Sequence, residues 1–220
     1  MIRNEAQQVA AYWDRIAPDF DAIYTGRKTA LGRALDKWLR RDMYERFDWV
    51  MERAGDVRGS TVCDIGCGSG RFVSALARRG ARVTGLDFAP SMLRMAKDLV
   101  RAESVAERCD FVQSDILDWR TDRAFDLTIA IGFWDYVADP MPRLHVIRSI
   151  TKERFLSAWP RAGTLRATVR KARLSVAGCP VYFWTRDEVD AYLAQAGFKV
   201  DHCEIHGQLY CVEASVVPIS

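Results

Sequence analysis

The stretch VCDIGCGSGRF, residues 62–72, constrains this chain more than any other. An apolar strand runs into three glycines within five positions and leaves as a helix. Such a junction belongs to α/β folds, where the carboxyl end of a strand delivers the chain to a helix N-terminus. It puts backbone N–H groups where a ligand must approach closely, so the detail of the loop decides which ligand fits.

A dinucleotide fingerprint would set its glycines at 66, 68 and 71, but the third here is Gly70 and the next residue is Arg71. A phosphate-binding loop closes on Gly-Lys-Ser/Thr, and this stretch contains no lysine. Asp64 adds an argument of sign. A carboxylate at the lip of the loop repels a pyrophosphate but suits a ligand with an ammonium and a sulfonium. S-adenosylmethionine (SAM) carries both charges and no phosphate.

Strands and helices alternate along the chain. Leu31, Leu35, Trp38, Leu39, Met43, Phe47, Val50 and Ala54 follow a 3.6-residue period, predicting a helix over 28–54 that Gly55 stops. Strands are expected at Thr61–Ile65, Ala81–Leu86, Cys109–Gln113, Phe125–Ile131 and Phe155–Trp159. Helices are expected at Arg71–Arg79, Ser91 to about Arg101, and Arg186–Ala196. Lys199–Ile205 and Gln208–Val216 close the chain as a hairpin turned at His206-Gly207. This pattern predicts an α/β fold: a seven-stranded, mostly parallel sheet with a C-terminal antiparallel hairpin. The expected organisation is one domain over 1–220, with a helical cap or lid at 1–55, a core at 60–216 and a substrate-side insertion at 160–183.

Two further acids stand at strand ends. Asp87, twenty-one residues after Gly66, can accept both hydroxyls of a ribose and would exclude a 2′-phosphate. Asp115 can accept from an adenine amine, with Phe88 and Ile116 covering the ring faces.

VCDIGCGSG, VTGLDFAPSMLRMAK, FVQSDI and FDLTIAIGFWDYVADP together resemble the class I SAM-dependent methyltransferases, in order and in spacing, over roughly residues 60–216. The resemblance implies a Rossmann-like methyltransferase sheet. It implies SAM held by Asp64, Gly66 and Gly68 at its amino-acid end and by Asp87, Phe88, Asp115 and Ile116 at its nucleoside. Backbone at Ile131 and Gly132 would face the methionine portion, and S-adenosylhomocysteine (SAH) would be the product.

Methyl transfer from a sulfonium is an in-line displacement that mainly requires a placed nucleophile and the exclusion of water. The fourth-strand exit, Gly132-Phe133-Trp134-Asp135-Tyr136, should line the transfer site, with Asp135 or Tyr136 positioning or deprotonating an acceptor. Tyr12, Trp13 and Tyr24 in the N-terminal segment are candidates to shield the sulfonium. Tyr12 is assigned to the cofactor and Tyr24 to catalysis. Arg166, Arg170 and Arg173 share one helical face of the insertion and could greet an anionic acceptor. The segments YWDRIAPDFDAIYTG, RFLSAWP and VYFWTRDEVDAYLAQAGF resemble the magnesium-protoporphyrin O-methyltransferases and their small-molecule relatives. That subgroup carries a histidine where this chain has WDY, which points to a different small acceptor, with O- and N-methylation both open.

Composition sets the remaining bounds. A formal charge of +3 gives no reason to expect nucleic acid, and no apolar run approaches the length of a membrane span. The N-terminus lacks the pattern of a signal peptide, and the six cysteines show no metal-ligand spacing. A cytoplasmic enzyme without metal, monomeric or homodimeric, is expected. The alternatives are a nicotinamide-dependent oxidoreductase and a SAM-binding regulator without catalysis.

Overall fold

The computed structural model describes residue 9, residues 41–164, residues 167, 170 and 174, and residues 179–218. Helix α1 (Arg41–Ala54) leads into β1 (Thr61–Ile65), α2 (Arg71–Arg78), β2 (Arg82–Asp87), α3 (Pro90–Ala102) and β3 (Cys109–Gln113). The chain continues through β4 (Phe125–Ile131), a single 3₁₀ turn at Trp134–Tyr136, α4 (Pro140–Ile150) and β5 (Thr151–Pro160). It ends with α5 (Arg186–Gln195), β6 (Phe198–His206) and β7 (Leu209–Val216).

The seven strands form one sheet in the order β3-β2-β1-β4-β5-β7-β6. Neighbours from β3 to β5 are parallel, and β7 lies antiparallel to both β5 and β6. The chain winds outward from β1 to β3, then returns to lay β4 on the other side of β1. The crevice at the carboxyl ends of β1 and β4 is therefore the switch point at which open α/β sheets bind ligands.

Strand alternation divides the core between the two faces. Val62, Val83, Leu127, Ile129 and Leu156 pack with Trp49 and Val50 of α1, Leu76 of α2 and Leu93 of α3. Cys63, Ile65, Leu86, Ala130 and Phe155 pack with Leu144 and Ile147 of α4 and Val189 and Leu193 of α5. Each fully buried Leu, Ile or Phe contributes about 1.5–3 kcal/mol. At the end of the second layer, Trp134 stacks on Trp159 with ring centroids 4.0 Å apart, and Trp184 meets Trp159 edge-on at 5.9 Å.

Two expectations are corrected in detail, and a third falls partly outside the described residues. Strand β5 begins at Thr151, four residues before the apolar run that marks it in sequence. Its charged opening is tolerated because Arg154 donates to the carbonyls of Arg53 and Ala54 and pairs with Glu213 at 3.3 Å. The hairpin turns at Gly207 and Gln208, because His206 still pairs with Leu209 in the ladder. The helix expected from residue 28 is described from Arg41, and its earlier part lies outside the described residues.

Helix α1 is fixed to the hairpin through Glu204. That carboxylate accepts from Arg53 at 2.7 Å, with His202 Nε2 at 2.6 Å and His206 Nε2 at 3.1 Å. These contacts tie both histidines into the junction between the hairpin and α1.

Candidate active site

A cleft with a cavity volume of about 150 Å³ opens at the switch point. Its floor is the loop after β1, from Gly66 to Ser69, and the end of β2 supplies Asp87 and Phe88. Asp115 follows β3, and Ile131, Gly132, Phe133, Tyr136 and Val137 follow β4. Met43 and Arg46 of α1, Arg71 and Phe72 of α2, Met92 of α3, Arg143 of α4 and Val9 complete the wall.

The glycine loop is built by close approach. Gly70 caps α2 with φ +79°, and a Cβ there would lie 2.7 Å from the Cβ of Ala96 on α3. This contact explains why the third glycine stands at 70 instead of 71. A Cβ at Gly66 would meet the Phe133 ring at 3.0 Å.

The amides expected to face a ligand turn inward instead. Gly66 and Cys67 both donate to the Leu86 carbonyl, at 2.8 and 3.0 Å, and Gly70 donates to Cys67 at 3.0 Å. Gly68 donates to Asp87 Oδ2 at 2.9 Å, while Ala89 donates to Oδ1 at 2.9 Å. A phosphate site needs such donors free. At residues 66, 67, 68 and 70 this loop spends them on its own fold, and the carboxylates of Asp87 and Asp115 face the cleft beside it.

Asp64 is not on the cleft wall. It is the fourth residue of β1, 1% exposed, and its Oδ2 has no hydrogen-bond partner. Burial, then the charge of Asp87, pushes its carboxyl up to about 8. An orphaned buried acid beneath a glycine loop fits a site completed by a cationic group.

Asp115 accepts from the Leu117 amide at 2.9 Å through Oδ1, while Oδ2 faces Arg143 at 3.7 Å. Ile116 departs from its expected role: its side chain is 2% exposed, packed in the core with Leu86 and Phe125. Phe88 and Met92 are among the apolar residues that line the same cleft.

At the fourth-strand exit the two candidate catalytic residues separate. Tyr136 lines the cleft, whereas Asp135 is buried at 3% exposure and its carboxylate is bound by Arg170. Arg170 therefore does not offer its charge to a substrate as expected. Tyr12, Trp13, Tyr24, Arg166 and Arg173 lie outside the described residues.

Three arginines of the cleft have no ligand role in the sequence reading. Arg46 lies against Gly132, its guanidinium 3.3 Å from where a Cβ would stand. The Arg71 guanidinium lies 4.1 Å from the Phe47 ring centroid. Arg143 is 7% exposed. The one signal available was an arginine beside an apolar helix face, as at Arg46 between Met43 and Phe47. It does not distinguish a cleft residue from a solvated one.

Comparisons with known proteins agree with this geometry. Residues 62–153 match the family described as "Methyltransferase domain". Those residues are a methyltransferase domain. The match displaces the oxidoreductase alternative. The ubiquinone biosynthesis O-methyltransferase of Salmonella paratyphi A is 32% identical over 123 residues, 54% of this chain and 50% of that protein. The same enzyme of Vibrio campbellii is 35% identical over 106 residues, 47% of this chain and 43% of that protein. The chain thus spans about half the length of the curated relatives it matches.

The fold also resembles magnesium protoporphyrin IX methyltransferase from Synechocystis PCC 6803, solved with SAH. The TM-score is 0.77 at 18% identity, covering 96% of this chain and 99% of that one. Geranyl diphosphate C-methyltransferase from Streptomyces coelicolor A3(2) gives 0.75 at 14% identity, covering 98% of each chain. Methyltransferases named for a porphyrin and for a carbon acceptor thus share this sheet, so the sheet does not fix the nucleophile.

Proposed function

We propose that this chain transfers the methyl group of SAM to an oxygen or nitrogen nucleophile of a small, partly apolar acceptor, in the cytoplasm. The observation that carries the reading is the cleft itself. It joins a glycine loop with its amides turned inward, the Asp87 and Asp115 carboxylates at successive strand ends, and an orphaned buried acid beneath.

Each residue has a role that follows from its chemistry. Asp87 keeps acceptor capacity beyond the two amides it receives, and its place at the end of β2 suits a ribose diol. Asp115, backed by Arg143, suits an adenine amine, with Phe88 and Met92 against the ring. Arg46 supplies the cation for an amino-acid carboxylate, and Asp64, below the amino-acid end, gives up its proton to become the counter-charge when a cation binds beside it. SAM, when bound, brings an electrophilic methyl on a sulfonium, and the protein has to align a nucleophile with it and exclude water. Phe133, Tyr136, Val137 and Val9 make the acceptor end largely apolar. Tyr136 is the group at that end able to hold or receive an acceptor proton. The cap at 1–55 and the insertion at 160–183 belong to this single-domain reading as the cover of the acceptor end.

The experiment is turnover of SAM carrying a tritiated methyl against a panel of phenols, amines and carboxylates. Label in a phenol or amine product supports the reading. SAH binding with no transfer to any acceptor favours the regulator instead.

A further inference from the structure

Arg143 stands where a cation is costly to keep. It is the fourth residue of α4, beside the core residue Leu144, and only 7% of it is exposed. A guanidinium loses much of its hydration there, and the start of a helix carries the positive end of the helix dipole. The helix start has no need of it, because Asp139 already caps α4 by accepting from the Met141 amide at 3.1 Å.

Its pairing is incomplete. Among the described residues the ion-pair partner of Arg143 is Asp115 Oδ2 at 3.7 Å, beyond hydrogen-bond reach, and the guanidinium makes no hydrogen bond. An arginine and a carboxylate that serve only each other close to about 2.7–2.9 Å, often through two parallel bonds. Asp115 Oδ1 is already taken by the Leu117 amide at 2.9 Å, and both side chains line the switch-point cleft. An acceptor oxygen and a set of donors thus stand side by side on the wall, neither filled by the other.

Such a wall is complementary to a group that carries a donor next to an acceptor. Adenine is one: its exocyclic amine is flanked by the ring nitrogens N1 and N7, both acceptors. A purine with a carbonyl in place of the amine would set an acceptor against the carboxylate. We infer that Arg143 reads the adenine of the cofactor directly: Asp115 Oδ2 takes the amine, and the Arg143 guanidinium donates to a ring nitrogen beside it. This inference rests on the SAM reading of the cleft and adds to it a second side chain that selects the base. It also gives the buried cation the acceptor it lacks within the chain.

The test is calorimetric titration with SAH and with its 1-deaza and 7-deaza analogues, in which CH replaces N1 or N7. All three ligands keep the amine, so a role confined to holding Asp115 affects them alike. One analogue should bind the wild-type protein at least about tenfold more weakly than SAH. In Arg143→Met, which keeps an apolar stem, SAH itself should weaken and that ratio should fall to within about twofold, as when two changes remove one and the same bond. Arg143→Lys should lower the ratio in part, because the point charge returns without the planar fork, and it gives a second reading if the methionine variant does not fold. Equal binding of all three ligands to the wild type overturns the inference, and so does a ratio that persists unchanged in the Arg143 variants. No binding of SAH to the wild type would instead remove the cofactor reading, and the role of Arg143 with it.

Discussion

The Gly68 amide donates to Asp87 Oδ2 at 2.9 Å, fastening the glycine loop after β1 to the end of β2. The other oxygen of Asp87 receives the Ala89 amide, also at 2.9 Å. One carboxylate therefore shapes the loop and the start of α3 while facing the cleft. Asp87→Ala leaves two amides without their acceptor. A loss of about 1–3 kcal/mol in the ligand-free protein is expected in urea unfolding, together with a smaller thermal shift on adding SAH. A variant as stable as the wild type would show that the loop does not depend on this contact.

Asp64 predicts a pH dependence of unusual direction. Its folded carboxyl is pushed up to about 8 from an ordinary 3.8. Between those values the folded chain keeps a proton that the unfolded chain has released. Its contribution to stability therefore falls as pH rises from about 4 to about 8 and then levels off. Asp64→Asn removes that slope, so the variant gains on the wild type as pH rises. A cation bound beside the carboxylate favours loss of the proton, so SAM affinity should increase with pH over the same window in the wild type alone. Parallel stability curves for the two proteins would contradict this.

Gly70→Ala tests the packing of the loop. The new Cβ would stand 2.7 Å from that of Ala96, at a φ of +79°. Left-handed strain and overpacking together are expected to cost about 2–4 kcal/mol. Ala96→Gly in the same chain should recover the packing part and leave the backbone part. Differential scanning calorimetry of the single and double variants separates the two.

Trp159→Ala tests the support under the fourth-strand exit. Trp159 is fully buried between Trp134 and Trp184. Its loss should cost about 3–5 kcal/mol by denaturant unfolding. The loss should fall on acceptor turnover more than on SAH binding, because the stack underlies the Trp134–Tyr136 turn and lies apart from the glycine loop.

Much of the fold was legible because apolar alternation and glycine placement act locally. Strands β1, β3 and β4 begin and end where their sequence pattern does. The start of β5 was hidden because Thr151–Arg154 is polar, and what seats it is pairing with β4 together with the bonds of Arg154 to the Arg53 and Ala54 carbonyls, a hundred positions away. Strand-end acids could be read since the switch-point rule assigns them a common rim, and Asp87 and Asp115 do share a cleft. What single positions do within that rim was not legible. Whether Ile116 points to the core or the cleft, and whether an amide is spent or free, depends on neighbours from other elements. Arg46 and Arg143 were missed for that reason, and Arg170 was assigned to a substrate when it serves a buried acid.

The central claim, that the switch-point cleft is a SAM site, is tested most directly by isothermal titration calorimetry with SAH. One site per chain is expected in the wild type, weakened at least about tenfold in Asp87→Ala, which corresponds to the loss of roughly 1.4 kcal/mol. No heat with SAH, or binding of NAD alone, would contradict the account.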